Sequence, residues 1–99
     1  MTTILSFQTS LPEITDERIA QLVHEHNDSR VGPTGYAISD INHPALYEVL
    51  ESIVGVPKEV MSNEEEHEYI CMWSAAYDLV GDIVKQEAAR RELLIMEPQ

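Results

Sequence analysis

The chain has 99 residues, of which 43% are hydrophobic, and its 18 acidic against 6 basic side chains give a formal net charge of −12. That length makes one domain around one core, and the apolar content excludes wholesale disorder. The charge disfavours direct binding to nucleic acid, whose phosphates would be repelled, and fits basic protein surfaces or cations as partners, or a role in solubility alone. A single cysteine excludes an intrachain disulfide. No long apolar span or basic leader is present, so a cytoplasmic protein without a membrane segment is expected.

In chain order, Thr2 to Thr9 (TTILSFQT) is β-prone, with Leu5 and Phe7 on one side and Ile4 and Ser6 on the other, which predicts a short strand or extended arm. An isolated pair of strands is marginal in water, so a partner strand, Tyr36 to Ser39 being the candidate, needs helices behind it. Leu11-Pro12-Glu13 breaks this segment. Thr15 then caps a first helix from Asp16 to about Asn27, with Ile14 and Ile19 at hydrophobic-staple spacing and Asp16 and Glu17 in the first turn. Ile19, Leu22, Val23 and His26 share its apolar face, while His24 and Glu25 point elsewhere. His26 near the helix end reads as a packing residue helped by the dipole.

Periodicity is lost from Asp28 to Asn42, where Gly32-Pro33-Thr34-Gly35 suits a type I turn. Tyr36, Ile38 and Ile41 are expected to pin this stretch to the core. Its position suggests a ligand or partner loop, but a packed connector is the favoured reading. A second helix follows over Pro44 to Val54, with proline at the first helical position and Leu46, Val49, Leu50 and Ile53 on one face. Gly55 suits the left-handed position after its end, Val56 the accompanying contact, and Pro57 prevents resumption.

The last third predicts one long helix from about Asn63 to Ile95. Ser62 and Glu65 have capping-box spacing, Glu64, Glu65, Glu66 and Glu68 suit the positive end of the dipole, and Arg90 and Arg91 suit the negative end. Tyr69, Trp73, Ala76, Val80 and Ile83 form a stripe flanked by Ile70, Tyr77 and Val84 and by Met72 and Leu79, covering about half the circumference. Beyond Val84, Glu87 and Arg91 fall on that stripe at i,i+4 spacing and can pair, so the tail is expected to leave the core. Such a helix would extend about 50 Å, against an expected radius of gyration of about 13 Å. A homodimer with Tyr69, Trp73, Tyr77, Val80 and Val84 at its interface is the economical expectation.

Catalytic chemistry has little support. Cys71 lies opposite the stripe among glutamates with no base placed beside it, whereas a reactive thiol wants an electropositive setting. Nucleophile-elbow, P-loop and dinucleotide motifs are missing. Glu64-x-x-His67 has the spacing of the pair contributed by one helix of a carboxylate-bridged di-iron bundle, but the required second copy is missing. Asp40-x-x-His43 falls in an irregular segment, and His24 with Asp28 makes only two ligands. The pairs Glu48-x-x-Glu51 and Glu65-x-x-Glu68 resemble the paired acidic motifs of all-α nucleotide pyrophosphatases. The resemblance covers four residues, and the second pair departs from the usual Glu-x-x-Asp. It implies a magnesium-dependent nucleotide hydrolase using Glu48, Glu51, Glu65 and Glu68.

The expectation is thus a single, mostly α domain of three helices, the last far longer than the others, with room for one small hairpin-like pairing. No metal or cofactor is expected. The function expected is non-enzymatic: an acidic module engaging a basic site on another protein, as inhibitors, immunity proteins and DNA mimics do. Its contact residues would be Glu59, Glu64, Glu65, Glu66, Glu68, Asp78 and Asp82. The alternatives are the hydrolase and a structural protein acting through homo-oligomerisation.

Overall fold

Side-chain caps set the two longest helices in the computed structural model, which describes residues 4–32, 35–55 and 57–93. Ser62 Oγ accepts from the Glu65 amide and Glu65 Oε1 accepts from the Ser62 amide, both at 3.2 Å, opening α4 (Asn63–Arg90) with the expected capping box. Thr15 Oγ1 accepts from the Arg18 amide at 3.2 Å and opens α2 (Asp16–Asp28). Helix α3 spans the expected Pro44–Val54, and Gly55 follows it with φ 91° and ψ 172°. That φ favours glycine, but the ψ is not that of the left-handed helical turn expected there. Helix α4 ends at Arg90, short of the expected Ile95: Glu92 turns to φ 59° and the Leu93 amide donates back to the Ala88 carbonyl at 3.0 Å, while Pro33, Thr34, Val56 and residues 94–99 lie outside the described residues.

The expected N-terminal strand is instead helix α1 (Ile4–Ser10), continued by a 3-10 turn over Leu11–Glu13. Thr2 and Thr3 lie outside the described residues. Ile4, Phe7 and Leu11 also have helical i, i+3, i+7 spacing, and it is this set that meets the core: Phe7 is buried, Ile4 and Leu11 half-buried. Leu5, grouped with Phe7 by the strand reading, is 71% exposed. Thr9 Oγ1 donates to the Leu5 carbonyl at 2.9 Å and Ser10 Oγ to the Phe7 carbonyl at 2.8 Å, so both hydroxyls bond the helix they sit on. Among the described residues four α-helices result where three were expected, and the fold is mostly α with a long last helix.

Helices α2, α3 and α4 pack against one another around Ile19, Leu22, Leu46, Leu50, Val80 and Val84, all fully buried. Twenty-eight residues of α4 make about 42 Å of helix, close to the 45 Å longest dimension of the chain. Tyr77, Val80 and Val84, expected at a dimer interface, are consumed by this core and have no side-chain surface for a second chain. The C-terminal turns also stay inside it. Ala88 is buried, and Glu87 is only 7% exposed because two arginines neutralise it. Arg91 Nε donates to Glu87 Oε2 at 2.7 Å, and Arg90 Nε to Glu87 Oε1 at 3.0 Å. These bonds hold the Glu87 carboxyl down at about 2. Arg91 further donates to the carbonyls of Ile14 and Leu11, both at 2.7 Å, and to Asp16 Oδ1 at 2.9 Å. One planar guanidinium thus ties the end of α4 to the chain entering α2.

Between α2 and α3, β1 (Arg30–Val31) pairs antiparallel with β2 (Gly35–Tyr36), joining Arg30 to Tyr36 and Val31 to Gly35. Among the described residues the small pairing is therefore local and does not involve Ile4 to Thr9. Gly32 has φ 69° and an added Cβ at Gly35 would stand 2.7 Å from the Val31 carbonyl oxygen, so both ends of this turn need glycine. Tyr36 and Ile38 pack on the core as expected, but Ile41 is 86% exposed. The segment is anchored instead by His43, which hydrogen-bonds Asp28 through Nε2 at 2.8 Å and accepts from the Ser39 amide on Nδ1 at 3.4 Å.

Two polar side chains of α2 turn inward. Glu25, read as pointing elsewhere, is buried and accepts the Leu46 amide at 2.9 Å, capping α3 from a neighbouring helix where His43 provides no side-chain cap. His26 stacks on Tyr77, which stacks on Tyr36, with centroids 4.2 and 4.3 Å apart. The His26 Nε2–H donates to the Tyr77 carbonyl at 3.1 Å, and Nδ1 has no partner among the described residues. Tyr77 Oη donates to the His26 carbonyl at 2.8 Å and lies 2.9 Å from Ser29 Oγ, satisfying the end of α2.

Burial, then the positive charge of Lys85, hold the His26 pKa below its ordinary 6.5; the Tyr77 bond and Asp78 oppose this and Arg30 adds to it. Because the unfolded chain binds the His26 proton more readily, this stability is complete above pH 6.5 and is lost as pH falls below it toward the folded pKa. His26→Gln is expected to flatten that part of the stability profile, measured by urea midpoints between pH 7.5 and 5; an unchanged slope would place the acid sensitivity elsewhere.

Candidate functional site: an acidic stripe and an aromatic cleft on the long helix

Positions 64, 68, 71, 75, 78 and 82 recur at alternating steps of four and three, which places Glu64, Glu68, Cys71, Ala75, Asp78 and Asp82 along one face of α4. All are exposed. The axial rise sets the two carboxylate pairs about 6 Å apart internally and about 15 Å from each other. Seven carboxylates and no lysine or arginine lie between positions 59 and 82, so their fields add over this surface. Glu59 is exposed just ahead of the helix, and Glu66 is exposed on its other side, one turn before Tyr69 and Ile70.

Glu65, expected in the same contact surface, is engaged within the chain. Lys58 Nζ donates to its Oε2 at 2.6 Å while Oε1 holds the cap of α4, and these bonds lower the Glu65 pKa and raise that of Lys58. The pyrophosphatase-like carboxylates are correspondingly separate. Glu48 and Glu51 are exposed on α3, Glu68 lies on the outer stripe, and no group of three or more His, Cys, Asp or Glu among the described residues is arranged to hold a metal ion.

Cys71 is exposed as expected, but it has a neighbour: His67 Nε2 lies 3.7 Å from Sγ, one helical turn away. The i,i+4 spacing carried that signal in the sequence.

Tyr69 and Trp73, expected at an interface, are half-buried and line a cleft of about 350 Å³ with Tyr36, Ile38, Tyr47, Glu51, Pro57 and Ile70. Tyr47 and Trp73 are tilted at 45° with centroids 5.4 Å apart, and Tyr69 meets Trp73 edge-on at 6.4 Å. The walls are tied from behind. Tyr69 Oη donates to the Gly55 carbonyl at 2.8 Å, and Tyr36 Oη lies 3.3 Å from Ser74 Oγ. Burial, followed by the charges of Glu51 and Asp40, pushes the Tyr47 phenol pKa up. Tyr36 comes to this cleft from β2, while Tyr47 and Glu51 stand one turn apart on α3, so spacing could join those two to each other but not to Tyr36 or Trp73.

The fold and these surfaces define a small, mostly α-helical acidic protein, in which no described helix is long and apolar enough to cross a membrane. No known protein family matches the chain, and comparison with curated proteins and with solved structures gives no match.

Proposed function

We propose that the protein is a non-enzymatic binding module of the cytoplasm that engages a basic site on another protein through the outer face of α4, as inhibitors, immunity proteins and DNA mimics do. The observation that carries this reading is the alignment of Glu64, Glu68, Asp78 and Asp82 on one exposed helical face with no basic residue interspersed. Carboxylates spread over about 27 Å of open surface suit a basic groove or paired basic patches better than a single cation, which needs ligands that converge. A free cysteine is compatible with a reducing compartment.

Immobilised protein should capture a basic partner from the native host, identified by mass spectrometry, and the purified pair should then be measured kinetically. Attraction between exposed charges is screened over about 10 Å at 0.1 M salt. The association rate of the wild-type protein is therefore expected to fall steeply with salt, and replacing Glu64, Glu66 and Glu68 by glutamine should slow it at least roughly tenfold at low salt. Glu65 is retained because its cap and its bond to Lys58 serve the helix. A folded triple variant with unchanged affinity at low and moderate salt would reduce this face to a solvated surface.

A further inference from the structure

The cleft between α3 and α4 has a composition that the acidic stripe does not explain. Of the eight described residues that line it, four are aromatic, one is a carboxylate and none is basic. Trp73, Tyr47 and Tyr69 meet at tilted and edge-on angles, as packed rings do, but they border open volume instead of filling it. The face of such a ring is electronegative and attracts a cation, most strongly at tryptophan. Glu51 lies in the lining and Glu66 precedes Tyr69 and Ile70 by one turn of α4. The volume lies at the lower end of the range for ligand sites and suits one long side chain better than a folded element.

We propose that this cleft receives a single arginine side chain of a basic partner segment, its guanidinium stacked in the corner of Trp73 and Tyr47 and paired with the Glu51 carboxylate. Arginine is favoured over lysine because a planar guanidinium can stack on a ring and present its edge to a carboxylate at the same time. The hydrogen bonds at Tyr69 and Tyr36 hold two walls in place before binding, which reduces the ordering cost. The assignment rests on the proposed engagement of a basic partner and adds an anchor to it: the stripe steers over long range, and the cleft fixes one residue at short range.

Trp73 is the only tryptophan, so its emission reports on the cleft directly. The probe is a five-residue capped peptide, Gly-Ser-Arg-Ser-Gly, compared with the same peptide carrying citrulline, which keeps the shape and removes the charge. A saturable change in Trp73 emission is expected with the arginine peptide and none with citrulline. Glu51→Gln, at an exposed position that leaves the core untouched, should weaken the arginine peptide by roughly 1.5- to fivefold, the range for one exposed ion pair. Amide shifts in NMR spectra should map to Tyr47, Tyr69 and Trp73. No saturable response, equal binding of both peptides, or indifference to Glu51→Gln would each overturn the assignment. Sedimentation showing a dimer whose formation alone shifts Trp73 emission would also overturn it, since a second copy would then fill the cleft. Failure here with a charge-dependent partner intact would refute the anchor alone. Arginine binding alongside a partner indifferent to the Glu64, Glu66 and Glu68 triple variant would refute the steering face alone.

Discussion

Gly81→Ala is expected to destabilise the protein by about 1–3 kcal/mol, although alanine is the better helix former. Gly81 sits in the middle of α4 where the His26 ring is pressed against the helix backbone. An added Cβ would stand 2.5 Å from His26 Cε1 and 2.7 Å from Cδ2, and closer still to Nε2. The ring would have to swing away, giving up its bond to the Tyr77 carbonyl and its stack on the Tyr77 ring. Overpacking a filled interior costs about 1–3 kcal/mol and a lost buried hydrogen bond about 1 kcal/mol, partly offset by about 1 kcal/mol of helix propensity. For a chain of this size that corresponds to a fall in Tm of roughly 5–20 °C, readily followed by circular dichroism. The same substitution in a His26→Ala background should be neutral or stabilising, because the obstructing ring is gone. Additive effects of the two changes would show that His26 and Gly81 are not in contact.

Glu25→Ala should lose about 2 kcal/mol, an unusually large effect for removing a charge from so acidic a chain. The Leu46 amide is the third of α3, buried, and has Glu25 Oε1 as its acceptor; leaving such a donor unsatisfied costs about 1–3 kcal/mol. Glu25 Oε2 also accepts from Gln21 Nε2 at 2.7 Å. Glu25→Gln retains an acceptor oxygen and should lose much less, while Glu48→Ala, exposed on α3, should change stability by under about 0.5 kcal/mol. Urea midpoints and amide exchange at Leu46 test this together. Equal midpoints for Glu25→Ala and Glu48→Ala would mean that α3 does not depend on a cap borrowed from α2.

Both effects lie on contacts that periodicity does not encode. From residue spacing alone, His26 could be assigned to the apolar face of α2, but not to a position against one glycine of a helix that begins 37 residues later. Spacing places Glu25 off the apolar face of α2, a side that a single-helix projection leaves without a partner. In the folded chain that side of α2 meets the start of α3, and the unsatisfied amide there needs an acceptor more than Glu25 needs water.

The N-terminal segment illustrates the same limit from the other side. Ile4 to Ser10 carries both an alternating and a helical pattern, and a window so short cannot distinguish them. The outcome was decided by which apolar set could reach the core. Extended chain would have needed a neighbouring strand, and the only described pairing is between β1 and β2. A helix satisfies its backbone internally and still delivers Phe7.

What the sequence by itself determined were the features written within a few residues of one another: the capping box of Ser62 and Glu65, the Thr15 cap, the bounds of α3, the Glu87–Arg91 pair and the run of carboxylates along α4. Each depends on local geometry that a helix imposes wherever it lies. The tertiary structure alone decided how those helices use their faces. It buried Tyr77, Val80 and Val84 in the chain's own core, held Glu87 there with two arginines, and drew Glu65 onto Lys58. It also gathered Tyr36, Tyr47 and Glu51 around Trp73. Such choices depend on which surfaces meet across long stretches of sequence, where apolar burial and the need to satisfy buried polar groups outweigh local preference.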